Sequence, residues 1–174
     1  IEGEQGDAVS SDANGDRSKI ALPKNQINYL KALRKRSGNK PIILVIKSGS
    51  AIDLSEIYDE VDAIIYAWYL GEQGGNAIAD VIFGDINPSG KLPITIPESI
   101  SHLPDYEDYS MNNRTYRFTN YKPLFPFGFG LSYSSFIYSD LVVDNKNSEE
   151  GDSIILNFNI RNNSKFSGEE VIQL

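Results

Sequence analysis

The chain has 174 residues, 40% of them hydrophobic and 11% aromatic, and its 24 acidic against 16 basic side chains give a formal net charge of −8. That composition supports a buried core, while the acidic balance repels phosphate backbones and argues against nucleic-acid binding. The absence of cysteine excludes disulfides, thiolate nucleophiles and cysteine-ligated metals, and the single histidine, His102, excludes any site that needs two imidazoles.

No apolar run approaches the roughly 20 residues of a membrane-spanning helix. The chain opens without methionine on IEGEQGD and stops at EEVIQL inside an apolar run, so both ends are expected to be cut. Residues 5–19, QGDAVSSDANGDRSK, are small, polar and turn-forming and read as a surface loop. Asp12, Asn14 and Asp16 have the first spacings of a calcium loop. Its twelfth position falls on Pro23, where a bidentate carboxylate is required, so calcium is not expected.

From Pro23 the spacing predicts a helix with Ile27, Leu30 and Leu33 on one face, ending near Gly38. The basic cluster KALRKR (31–36) reads as the solvated side of that helix. PIILVIK (41–47) is a continuous apolar run of the kind buried on both faces of a parallel sheet, and DAIIYAW (62–68) is a second. A glycine loop, YLGEQGG, leads into an amphipathic stretch, NAIADVIF, with Ala77, Ile78, Val81 and Ile82 expected inward; LPITIP (92–97) reads as a third strand. Alternating strands and helices with short links predict an α/β domain with a mainly parallel sheet.

From about residue 98 the chain turns aromatic and rich in Pro and Gly, with little periodicity. It carries too many large rings for an exposed linker and is expected to pack as an irregular folded loop. His102 is expected to cap a turn before Pro104. FIYSDLVV and DSIILNFNIRN then read as strands about the polar turn DNKNSEEG, with EEVIQL as a third, the start of a β-sandwich.

Several stretches are candidates for chemistry. Glu4 follows Gly3 in a glycine-flanked loop, where a side chain can be presented to a cleft; a general acid there needs a raised pKa and reach to a leaving group. An exposed loop glutamate is the plainer reading of the residues alone, for Glu2 as for Glu4. GEQGG (71–75) could seat an anion at a helix N-terminus, but it lacks a dinucleotide or phosphate-loop spacing, and tight strand-to-helix packing explains it better. DYEDY (105–109) and RTYRF (114–118) combine carboxylates, tyrosines and arginines, which suit sugar rings and suit equally a loop burying its own backbone. PLFPFGFGLSY reads as structural, its glycines turning and its phenylalanines filling a core.

Taken in order, IEGEQGD…DR, LPKNQINYLKAL, AWYLGEQGGNAIADVIFGDINPSGKLPITIP, RTYRF and PLFPFGFGLSYSSF resemble glycoside hydrolase family 3, the β-glucosidases and β-xylosidases. The resemblance covers essentially the whole chain, and DYEDYSMNNRTYRF with the IEGE opening is more similar to the xylosidase-type branch. It implies an (α/β)6-sandwich-type domain, partial, over 1–136, followed by the start of a fibronectin type III-like β-sandwich over 137–174.

The same resemblance implies a retaining, exo-acting β-glycosidase that needs no metal or cofactor, acts on an oligosaccharide or β-glycoside, and is periplasmic or secreted. The aspartate nucleophile would come from a TIM-like barrel domain of the parent chain, so the isolated chain is expected to be inactive. The family's acid/base glutamate sits in a Gly/Ala-Glu-Gly-x-Asp-Arg context. Gly3-Glu4 and Asp16-Arg17 match its two ends across an insertion, so the resemblance assigns the general acid/base to Glu4. Glu2 is the fallback for that role and is otherwise expected to bind substrate. A non-catalytic carbohydrate-binding or scaffold module is the competing expectation, and an anion binder at GEQGG a third.

Overall fold

The computed structural model describes residues 20–144 and 149–173. These form two compact units: one takes the described residues through Ile78 together with Leu92–Phe129, the other Ala79–Lys91 with the described residues from Gly130 onward.

In the first unit, helix α1 (Lys24–Ser37) starts after Pro23 and ends at Gly38, whose left-handed φ of 57° stops the helix. Ile27 and Leu30 are buried and Leu33 half-buried, as the spacing predicts. Strands β1 (Ile43–Ile46) and β2 (Ala63–Tyr66) pair in parallel, Ile43 opposite Ala63 and Ile46 opposite Tyr66. The core joins α1 to one face of this pair: Leu22, Ile27, Leu30, Leu44, Ile46, Ile52, Leu54 and Ile57 form one buried cluster. Burying a side chain such as Ile46, which is 0% exposed, contributes about 1.5–3 kcal/mol.

Burial in β1 alternates, with Leu44 and Ile46 inward and Ile43 42% exposed. The expectation of a run buried on both faces is therefore corrected: a β-branched run is compatible with either case, and α1 covers only one face. LPITIP is not a third strand of this sheet. Ile96 instead makes an isolated antiparallel bridge to Phe125, with Leu92 N donating to Phe129 O at 2.8 Å. Pro93 and Pro97 have no N–H to give a ladder, which leaves room for single bridges only. Helix α2 (Gly74–Phe83) keeps Ile78, Val81 and Ile82 half-buried, while Ala77 is exposed rather than inward.

In the second unit, β3 (Phe136–Asp144) and β4 (Ile155–Asn162) pair antiparallel, with a bulge between Ser139 and Val142 where Asp140 has φ 56°. The expected third strand does not form: among the described residues, 169–173 are irregular. Asn87 organises this unit. Its amide nitrogen donates to Ser134 Oγ at 2.8 Å and Ser167 O at 2.7 Å, and its oxygen accepts from Ser132 Oγ and Tyr133 N, both at 2.9 Å. Lys91 adds a hydrogen bond to Gly130 O and an ion pair with Glu170 at 3.5 Å. No described helix is long and apolar enough to cross a membrane.

Candidate functional site

Parallel strands direct their loops, and with them most ligand sites, to their carboxyl ends. Here that edge is built from Lys47–Ser50 after β1 and Ala67–Gly71 after β2. The two loops are tied together through one carbonyl: Ser50 O accepts both Ser48 Oγ, at 3.0 Å, and the Tyr66 phenol. Ser48 is buried and its oxygen also accepts Ser50 N at 3.3 Å, so the turn is internally satisfied.

Immediately beyond β2, Trp68 takes φ 53°, an unusual conformation for a bulky side chain that costs about 1–3 kcal/mol and requires support from its surroundings. Its ring packs at 4.8 Å and 52° against Tyr66. The next residues, Tyr69 and Leu70, are exposed. Gly74 begins α2 where a Cβ would stand 2.5 Å from Leu70 Cβ, a close approach within the loop itself, while Gly71 and Gly75 have open space.

A second element of the first unit is the loop from Glu98 to Pro123. Ser99, not His102, caps the 3-10 turn Ile100–His102: its Oγ accepts Ser101 N at 3.2 Å. The His102 ring instead lies 5.0 Å from Tyr121, and its carbonyl accepts Asn113 Nδ2 at 3.2 Å. Arg114 turns inward on the loop's own backbone. Nη2 donates to Asp105 O at 2.6 Å and Asp108 O at 2.7 Å, and Nε donates to Asp108 O at 2.9 Å. Asp108 N closes a turn onto Asp105 O at 3.0 Å, and the Asp108 carboxylate accepts Ser110 N at 2.9 Å. That backbone donor, with the Ser110 hydroxyl, holds the Asp108 pKa below the ordinary carboxylate value.

The short helix α3 (Thr115–Phe118) follows, with Tyr116 stacked on Phe127 at 4.2 Å and Arg117 over the Tyr116 ring. Phe125 packs against Tyr58 and Phe129 and lies half-buried against the core, while Phe129 is exposed, so the phenylalanines line the edge of the core rather than fill it as expected.

Of the two readings open for the DYEDY and RTYRF segments, Arg114 follows the backbone-satisfying one; Tyr106 and Tyr109 do not, and stand out in solvent. The basic helix cluster is also more than a solvated face. Arg34 ties α1 to the sheet through Asp62, and Lys31 pairs with Glu56 at 3.5 Å. Glu2 and Glu4 lie outside the described residues, as do Asp12, Asn14, Asp16 and Arg17. Among the described residues no group of three or more His, Asp or Glu could hold a metal ion. The inward turn of Arg114 and the positive-φ backbone of Trp68 are what the sequence does not announce: RTYRF leaves two readings open for the arginine, and backbone φ is not written in residue type.

The sequence profile described as glycosyl hydrolase family 3 C-terminal domain matches residues 2–133. Xylan 1,4-beta-xylosidase of Xylanibacter ruminicola is 46% identical over 160 residues, which is 92% of this chain and 18% of that protein. Periplasmic beta-glucosidase of Salmonella typhimurium is 36% identical over 170 residues, 91% of this chain and 22% of that protein. The chain thus spans 18–22% of the length of these relatives. Among solved structures, beta-glucosidase 3B from Thermotoga neapolitana superimposes with a TM-score of 0.72 at 30% identity, over 84% of this chain and 23% of that one.

Proposed function

The chain belongs to the glycosyl hydrolase family 3 C-terminal domain family, and on that premise we propose that it serves a retaining, exo-acting β-glycosidase as the domain that contributes the general acid/base. The observation that carries this reading is the match over residues 2–133 together with 46% identity to a xylan 1,4-beta-xylosidase. The same identity favours a β-xyloside over a β-glucoside as substrate.

Glu4 is the proposed acid/base, with Glu2 binding substrate beside it. A retaining glycosidase sets two carboxyl groups roughly 5 Å apart, one as nucleophile and one as acid. In the first half-reaction the Glu4 carboxyl protonates the departing glycosidic oxygen as the nucleophile bonds to the anomeric carbon. In the second, the Glu4 carboxylate takes a proton from the water that cleaves the glycosyl ester. The nucleophilic aspartate is assigned to a barrel domain of the full-length enzyme, so this chain alone is inactive in the proposal.

Residues 137–174 are proposed to begin a fibronectin type III-like sandwich. What supports this is the antiparallel pairing of β3 and β4 and the apolar side chains both strands leave exposed, among them Leu141, Val142 and Ile155. Such a pair is stable only when further strands cover a face.

The reading is tested by incubating the full-length enzyme with an aryl β-xyloside and an aryl β-glucoside and following the first-formed sugar by proton NMR. Release of the β-anomer, faster from the xyloside, is expected. Release of the α-anomer, or no hydrolysis of either substrate, would reject it.

A further inference from the structure

Tyr106 and Tyr109 are 89% and 83% exposed, and both belong to a loop that is otherwise fixed. Tyr106 is the second residue of the Asp105–Asp108 turn, and Arg114 holds both ends of that turn by their carbonyls. Beyond it, Met111, Asn113 and Thr115 all have positive φ, between 57° and 62°. Asn113 supports that conformation from both ends of its amide, donating to His102 O and accepting Asn120 N at 2.9 Å. The backbone is therefore held from within the loop, and the two rings make no hydrogen bond and no aromatic or cation–π contact among the described residues.

We propose that Tyr106 and Tyr109, with the carboxylate of Glu107 between them in sequence, form a platform for a neutral β-linked polysaccharide chain. A phenol ring presents an apolar face and a polar tip, which matches a pyranose ring with its C–H face and hydroxyl rim. Tyrosine has only two side-chain torsions to immobilise, so a ring on a fixed turn binds at low entropic cost. The Glu107 carboxylate makes no hydrogen bond or ion pair among the described residues, leaving its lone pairs for sugar hydroxyl donors. Residues 105–109 carry three carboxylates and no base, and the chain is −8 overall, so anionic polymers and anionic lipid surfaces are repelled.

The choice of a polysaccharide rests on the glycosidase reading; the placement of the platform does not. The platform is proposed to hold the chain of the substrate and takes no part in bond cleavage.

Native-gel retardation of the full-length enzyme in soluble β-1,4-xylan tests this, comparing wild type, the Tyr106→Ala/Tyr109→Ala double variant and the Tyr106→Phe/Tyr109→Phe double variant. The apparent affinity is expected to fall roughly tenfold in the alanine variant and to be kept by the phenylalanine variant, whose rings still stack. Equal retardation of wild type and alanine variant would overturn the platform. So would wild-type retardation abolished by roughly 0.5 M salt, which would mark a charged contact of the kind a basic protein makes. Hydrolysis of an aryl β-xyloside by the wild type is measured beside it. Ring-dependent retardation without hydrolysis would uphold the platform and reject the glycosidase reading; hydrolysis without retardation would do the reverse.

Discussion

Arg34 in the last turn of α1 donates from Nη2 to Asp62 Oδ2 at 2.5 Å, and the same carboxylate oxygen accepts Ile42 N at 2.7 Å. One carboxylate thus joins the end of the helix, the entry to β1 and the entry to β2, with Arg34 Nε also donating to Glu60 O at 2.9 Å. The Arg34 hydrogen bond first, and the Ile42 N–H second, hold the Asp62 pKa below its ordinary 3.8. A depressed carboxylate contributes stability that is fully present above the unfolded-state pKa and is lost as pH falls through the lower folded-state value. Wild type is therefore expected to lose more Tm than Asp62→Asn as pH drops from neutral to below 3.8. Fluorescence of the single tryptophan, Trp68, reports on this unit. Parallel Tm-against-pH curves for the two proteins would remove Asp62 from this role.

Leu54 is 0% exposed within the cluster under α1. Leu54→Ala is expected to cost about 2–5 kcal/mol, the transfer term plus the cavity left behind. Urea unfolding followed by Trp68 fluorescence measures it, and a loss under about 1 kcal/mol would mean that the cluster collapses to fill the space.

In the second unit, Asn87→Ala removes four hydrogen bonds at once and leaves Ser167 O and Tyr133 N without their partner. A destabilisation of about 2–3 kcal/mol is expected. Hydrogen exchange at the Tyr133 amide is the local readout: protection should fall in the variant, and unchanged protection would show that Asn87 does not organise this segment.

Gly38 ends α1 at φ 57° with open space around its Cβ position. Gly38→Ala therefore meets no neighbouring side chain, and its expected cost of about 1–3 kcal/mol comes from the backbone itself, whose φ of 57° and ψ of −123° are adopted almost only by glycine. No change in Tm would place the residue outside that region of backbone space.

The elements legible in the sequence were those with a strong local signal. α1 was readable from Ile27, Leu30 and the Pro23 and Gly38 boundaries, and β2 from the β-branched run at 63–66. Residues 92–97 read as a strand because Leu92, Ile94 and Ile96 alternate like one, while Pro93 and Pro97 block the ladder that would make it. Ala77 fits an inward stripe but is small enough for exposure to cost little. The role of Arg114 was hidden for a different reason: its partners are carbonyl groups, which every residue has, so no spacing of side chains announces them. The acid/base assignment to Glu4 rests on family resemblance, since a lone glutamate in a glycine-rich polar stretch carries no periodicity to distinguish it.

The most direct test of the central claim is made in the full-length enzyme with Glu4→Gln, on xylobiose and on an aryl β-xyloside with a good leaving group, with and without azide. Loss of the general acid is predicted to slow xylobiose hydrolysis by roughly 10²–10⁴-fold. The first step on the aryl xyloside needs no protonation and should suffer far less, and azide should restore turnover as the β-glycosyl azide because it needs no general base. If Glu4→Gln matches wild type on both substrates and azide changes nothing, Glu4 is not the acid/base.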